Sequence, residues 1–353
     1  MKVALIGAGS SVGRHLLLRN DPRFIGIYRS AKALSQLCDL DLGDRLIRAS
    51  NPAALSAAIK GCDTVVTLIN DENPRSALLS LRQTMDACVA AGVRQLIHIS
   101  SAAIYGRNAH QVRSVDAAGP SLTWSSYAAG KQWQENFLKQ SAARLHSVVV
   151  LRPGLIWGPG MAWLHVPAGD VLRGEAWIAE GDAPCNLVHI DLLTHAIVSY
   201  AESCPSGLSF CNLFDRKRMT WSEYYRRIAQ SLKVEHLDIH VIPRKASPPW
   251  LRNANAPRFM FPLGLGWSVS PRPLKDFVKT LVRSIPKKKR PNGVQICGMG
   301  TQHLSINREM WELKTVQGLP PHNQALEQLH DSLPRSESEQ WAEIGKLDRW
   351  LWI

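Results

Sequence analysis

Through its first half the chain alternates short unbroken apolar runs with longer stretches whose apolar residues recur at helical spacing. The runs are 3–6, 24–28, 64–69, 95–99 and 147–151. Between them, helical spacing covers 12–18, 53–59, 77–91 and 127–144, and Gly92 closes the third of these as a C-cap signal. Strands this short, without polar alternation, are those buried on both faces. Helices of ten or so residues between them supply the crossovers of a parallel sheet. The pattern predicts an α/β fold with a doubly wound parallel sheet.

After Pro153 the pattern loosens. Glycine, proline and tryptophan crowd into 157–163, which reads as a loop, while 188–191 and 192–202 read as one more strand and helix. The expected division is 1–155 plus 187–212 for the sheet domain, and 156–186 plus 213–353 for a smaller C-terminal α/β lobe. Within that lobe an atypical insertion is expected near 245–303. Its segment 271–285 carries apolar residues at 274, 277, 278, 281, 282 and 285, a helical stripe.

Charge sharpens this picture. The net charge is +13, and residues 214–290 alone hold 18 Lys+Arg against 5 Asp+Glu, so one stretch accounts for all of it. The expectation is a basic lobe on a neutral body, able to draw in an anionic small molecule. No helix-turn-helix, zinc-finger or RNA-binding aromatic motif accompanies it, so nucleic acid is not the expected partner. Peripheral membrane contact through 259–290 and a homodimer are left open. The seven cysteines are odd in number and lack C-x-x-C spacing, which indicates reduced thiols in a cytoplasmic protein and no metal site. No apolar run is long enough to cross a bilayer.

Two local motifs carry chemistry. Gly7, Gly9, Ser10, Ser11, Val12 and Gly13 form a turn between the first strand and first helix, where a Rossmann dinucleotide-binding loop belongs. Glycines there permit a tight turn and close backbone approach to a pyrophosphate, which the helix N-terminus attracts. Further along, Tyr127 and Lys131 lie four apart in a predicted helix and share a face. A nearby cation favours phenolate over phenol, so the pair suits proton transfer near neutral pH.

These motifs, with several others in order, resemble the extended short-chain dehydrogenase/reductase family, which includes sugar-nucleotide epimerases and dehydratases. Ser100 to Gly106 is similar to its S-S-x-x-V-Y-G strand end, and Tyr127 with Lys131 to its Y-x-x-x-K, followed by Glu135. Leu151 to Gly160 and Val188 to Asp191 resemble its L-R-P-x-x-x-Y-G-P-G and V-H-V-x-D segments. The glycine turn departs from the usual spacing, with Ser10 in place of the middle glycine.

The resemblance implies that Tyr127 is the general acid/base and that Lys131 supports it and holds the nicotinamide ribose, with Pro153 also beside the cofactor. Ser101 would bond the substrate oxygen that is oxidised or reduced. Family dehydratases carry Asp-Glu where this chain has Ala102 and Ala103, so redox at a single carbon is favoured. At the end of the second strand Arg29 stands where a carboxylate would select NAD, which favours NADP(H) over NAD(H). Seven of the twelve tryptophans lie between 154 and 320, and Trp157 and Trp163 are the two expected to face substrate. The leading expectation is hydroxyl–carbonyl interconversion on a nucleotide-linked sugar, by a C4 epimerase or keto-reductase. A reductase or dehydrogenase of a non-sugar hydrophobic substrate is one alternative; a non-catalytic dinucleotide binder is another.

Overall fold

The computed structural model describes residues 1–69, 71, 73–106, 126–243 and 324–344. The expected basic insertion at 245–303, the 271–285 stripe, the 259–290 membrane contact and Trp250, Trp267 and Trp311 lie outside the described residues.

Seven parallel strands form the central sheet in the order β11-β6-β5-β4-β1-β2-β3. They are β1 (Val3–Ile6), β2 (Phe24–Tyr28), β3 (Leu46–Arg48), β4 (Thr64–Thr67), β5 (Gln95–Ile99), β6 (Ser147–Pro153) and β11 (Gly207–Leu213). The helices α1 (Ser11–Leu18), α2 (Ala31–Ser35), α3 (Pro52–Ala58), α4 (Pro74–Ala91), α5 (Ser126–Ser141) and α7 (Ile190–Ser203) cover its two faces. The Rossmann-type sheet read from the apolar runs is therefore present. β6 illustrates why: each of its seven residues is buried, so the strand needs no polar alternation. Two local signals delimit α4, where Asn73 caps the N-terminus ahead of Pro74 and Gly92 closes the other end at φ +71°.

Strand order reverses between β1 and β4, so the crevice at the carboxyl ends of these strands is where ligands bind in such sheets. The turn after β1, the end of β5 and the start of α5 all meet there.

The remaining elements share a second hydrophobic core and form a lobe. Three two-stranded ladders, β7 (Leu155–Trp157) with β10 (Leu187–His189), β8 (Glu175–Ala179) with β13 (Asp238–Ile242), and β9 (Pro184–Cys185) with β12 (Met219–Thr220), surround α6 (Ala162–Leu172) and α8 (Trp221–Ser231). Its core is aromatic: Trp157, Trp221, Tyr224, Tyr225 and Trp341 are all buried there. Two further helices, α9 (Gln324–Asp331) and α10 (Glu337–Ile344), tie this lobe to the sheet. Between them Arg335 reaches Asp191 (2.6 Å), whose carboxylate also faces His15 of α1 (3.5 Å) and His189 (3.4 Å). Burial works against that carboxylate's charge, but these three neighbours outweigh it and hold Asp191 well below the usual carboxylate range. Among the described residues no helix is long and apolar enough to cross a membrane.

Candidate active site

The glycine turn is shaped by contact. A Cβ at Gly13 would lie 2.6 Å from the Ala8 carbonyl oxygen, so only glycine lets α1 start this close to the end of β1. Ser10 is the N-cap of α1: its Oγ accepts the Gly13 N–H (3.1 Å), while its own N–H donates to the Gly7 carbonyl (2.9 Å). The Ser10 N–H and hydroxyl oxygen are thereby engaged within the turn. The N–H groups of Gly9, Ser11 and Val12 have no acceptor among the described residues, leaving three donors for an anion. A dinucleotide pyrophosphate fits this cradle.

Ser101 ends the extended stretch after β5. Its Oγ accepts the Ala103 N–H (3.2 Å) and caps a single 3-10 turn over Ala102–Tyr105, and the side chain remains partly exposed. Its neighbour Ser100 turns inward and donates to Glu135 (2.5 Å). On α5, Tyr127 is partly exposed and Lys131 is buried, with the Lys131 Nζ 5.8 Å from the centre of the Tyr127 ring. The Lys131 ammonium donates to the carbonyls of Ile99 (2.8 Å) and Ile69 (3.3 Å), at the ends of β5 and β4. A narrow crevice lined by Ile69, Asp71, Ala77, Tyr127, Gly130, Lys131 and Gln134 opens beside it. Burial pulls the Lys131 pKa down to about 8, and Glu135 opposes that shift. Beneath it, His98 of β5 bonds Thr67 (2.8 Å) and is held neutral, first by burial and then by the charge of Lys131.

The pairing of Glu135 with Arg152 is what motif reading missed. The carboxylate accepts Nε (3.0 Å) and Nη2 (2.7 Å) of Arg152, a guanidinium with no solvent exposure. Arg152 Nη1 also donates to the Tyr105 hydroxyl (2.7 Å), which donates to Asn212 of β11 (2.9 Å). One buried chain of bonds thus runs from the serine strand end through α5 and β6 to β11. A signal for it did exist, since an arginine inside the apolar run before Pro153 must be buried and so requires a carboxylate.

Three predicted residues sit apart from this centre or change character. Arg29, just past β2, is exposed at the far end of the crevice. Trp163 is half-buried, its ring 5.9 Å from Trp221. Trp157, expected to face substrate, is a core residue instead. It is 1% exposed, its indole N–H donates to Asp215 (2.5 Å), and the rings of His189 and Trp341 pack against it at 4.7 and 4.5 Å. As the last residue of β7 it points into the lobe, because the ladder with β10 extends further than the glycine-rich sequence suggested.

Comparison with known proteins places the chain in a family. A family described as NAD(P)H-binding matches residues 7–174. An N-acetyl-alpha-D-glucosaminyl-diphospho-ditrans,octacis-undecaprenol 4-epimerase from Escherichia coli O157:H7 is 30% identical over 255 residues, covering 68% of this chain and 75% of that protein. A 4-hydroxy-2-methyl-3-oxo-4-farnesyl-3,4-dihydroquinoline-1-oxide ketoreductase from Stigmatella aurantiaca is 22% identical over 222 residues, which span 59% of this chain and just under two thirds (66%) of the ketoreductase. Among solved structures, UDP-glucuronic acid 4-epimerase from Bacillus cereus, in complex with UDP-glucuronic acid and NAD, superposes with a TM-score of 0.57. That match covers 80% of this chain and 100% of that one at 17% identity, a likeness of fold.

Proposed function

Because the chain belongs to the NAD-dependent epimerase/dehydratase family, of extended short-chain dehydrogenase/reductase type, we propose that it interconverts a hydroxyl and a carbonyl by hydride transfer with NADP(H). The substrate in this reading is a nucleotide-linked sugar, and the reaction a C4 epimerisation or keto-reduction. The observation that carries the proposal is the convergence of Ser101, Tyr127 and Lys131 on the carboxyl ends of β4 and β5, across the strand-order reversal from the glycine turn.

The nicotinamide supplies or accepts the hydride. The rest falls to the chain's own residues. Gly9, Ser11 and Val12 offer backbone donors to the pyrophosphate, and Gly7 and Gly13 keep that approach open. Lys131 has two of its three donor hydrogens on backbone carbonyls, which fixes the ammonium and leaves the third for a ribose hydroxyl. That charge stabilises a phenolate at Tyr127, which takes the proton of the substrate hydroxyl or returns it to the alkoxide. Ser101 orients the same oxygen. Ala102 and Ala103 stand where family dehydratases carry Asp-Glu, which supports redox at a single carbon over elimination of water.

Arg29 supports NADP over NAD, since a 2′-phosphate answers its charge and the stretch Ile27–Ser30 carries no carboxylate to hold a 2′-hydroxyl. The ketoreductase relative supports a second reading, reduction of a hydrophobic carbonyl. A panel of UDP- and dTDP-linked sugars, monitored for both NADPH consumption and product stereochemistry, separates the two. Epimerisation changes the stereochemistry without net consumption, reduction consumes NADPH, and no change with any sugar would favour the hydrophobic substrate.

A further inference from the structure

Strands β4 and β5 are apolar in the middle of their shared ladder and polar at both of its ends. Their register runs from Thr64 against Gln95 to Thr67 against His98. At the first rung the Thr64 hydroxyl donates to Gln95 (2.9 Å); at the last, Thr67 Oγ1 and His98 Nδ1 are bonded at 2.8 Å. All four side chains are buried. Buried polar side chains cost stability unless they find partners, and each pair supplies one cross-strand bond. The two rungs differ in what lies past them. Only the last stands at the carboxyl ends of the strands, beside the crevice.

The ladder ends at that rung, and the backbone just beyond it holds Lys131. The ammonium donates to the Ile99 carbonyl, one residue past His98 (2.8 Å), and to the Ile69 carbonyl, two past Thr67 (3.3 Å). A buried ammonium keeps its charge only where such acceptors converge on it. Among the described residues, the Thr67–His98 bond is the side-chain tie between the two strands nearest to those carbonyls. An imidazole suits this place because it stays neutral. Its Nε2 meets no partner among the described residues, so a second ring proton would be buried without an acceptor, near the charge of Lys131. The other titratable groups around Lys131 among the described residues are Tyr127 and Glu135 on α5 and Asp71 in the link after β4.

We infer that Thr67 and His98 are positioning residues for Lys131: their bond pins the last rung of β4 and β5, so that the Ile69 and Ile99 carbonyls converge on the ammonium and keep it seated beside Tyr127. The inference rests on the role given to Lys131 in the proposed reaction. Neither residue touches substrate or cofactor in this reading; both act through the two carbonyls. Without the bond the strand ends loosen, the acceptors fit the ammonium less well, and its charged form loses support. Lys131 should then give up its proton at lower pH than the value of about 8 to which burial already brings it.

The test is an NMR titration of the intact protein labelled at the lysine ε-carbon, with the Lys131 signal assigned by its loss in Lys131→Arg. It needs no substrate. Thr67→Val, which keeps the shape of the side chain, and His98→Leu should each lower the Lys131 titration by roughly half a pH unit. The double variant should shift it no further, because both changes cut one bond. Thr67→Ser, which retains the hydroxyl, should titrate close to wild type. Thr64→Val cuts the corresponding bond at the far rung, so it should lose comparable stability to urea and leave Lys131 in place. Where turnover is measured, the alkaline limb of kcat/KM should follow the lysine. An unmoved lysine in Thr67→Val would overturn the inference, as would a Thr64→Val shift of equal size, which would mean general loosening of the sheet. A lysine that shifts as expected beside an unmoved limb would overturn the catalytic role given to Lys131 and leave its seat as described.

Discussion

The two ends of the crevice are built in opposite ways. At the α5 end, Lys131, Glu135 and Arg152 are buried and each is bonded by neighbours on other elements. At the β2 end, Arg29 is exposed and unpaired among the described residues. The difference follows from what each end has to do. Moving a proton within a narrow pH range requires a fixed distance and a tuned charge state, which burial and hydrogen bonding supply at a cost in stability. Selecting a charged ligand requires charges that remain free until it arrives. Rigidity marks the chemistry here, and unpaired charge marks recognition.

That contrast breaks first at Tyr127. Tyr127→Phe removes the proton carrier and leaves the ring beside Lys131, so turnover should fall about 10²–10⁴-fold while NADPH affinity holds. Stopped-flow fluorescence of NADPH reads both quantities, and an unchanged turnover number would discard the catalytic assignment.

Glu135→Gln comes next. It leaves Arg152 buried without its counter-charge, a change that destabilises by about 3–5 kcal/mol in comparable sites, measurable by urea unfolding. It should also act on Lys131. Burial already lowers that lysine to about 8 and Glu135 opposes the shift, so without the carboxylate the ammonium is lost at lower pH. The alkaline limb of kcat/KM should therefore move toward neutrality. Glu135→Asp, which keeps the charge, should restore much of that limb. A stability loss with an unmoved limb would reduce Glu135 to a packing role.

The sequence revealed the two ends unequally. Ser101, Tyr127, Lys131 and the glycine turn stand in short local motifs, each next to an apolar run whose burial could be read directly. The bonds that hold them span the chain instead: Ser100 to Glu135 crosses 35 positions and Tyr105 to Asn212 crosses 107. Short or edge elements were hidden for another reason. β3 and β13 contain partly exposed positions and polar residues, so neither forms a clean apolar run. α8 went unread although Thr220 and Glu223 form a capping box ahead of a strongly amphipathic stretch.

Trp157 was misread because glycine- and proline-rich surroundings suggest an exposed loop. Trp157→Phe tests the correction. It strands one oxygen of the buried Asp215 carboxylate, which retains the His189 N–H at 2.7 Å. The expected loss is about 1.5–3 kcal/mol of stability, with KM for the sugar unaltered. A rise in KM without a loss of stability would return this ring to the substrate site.

The smallest effect is expected at Ser10, and it tests whether the turn divides its labour as its bonds indicate. The Ser10 hydroxyl oxygen accepts the Gly13 N–H and the Ser10 N–H donates to Gly7, so the hydroxyl proton is the one Ser10 donor left for an incoming phosphate. If that proton goes unused, Ser10→Ala removes only a helix cap, worth about 1 kcal/mol. The cap bond belongs to the free and the dinucleotide-bound protein alike, so both should lose the same few degrees of Tm and the Kd for NADPH should stay within about twofold. If the hydroxyl leaves Gly13 to bond the pyrophosphate, the bound form loses more than the free form and Kd weakens. Equal shifts would place recognition of the pyrophosphate on the backbone of Gly9, Ser11 and Val12, the donors that the turn leaves without acceptors.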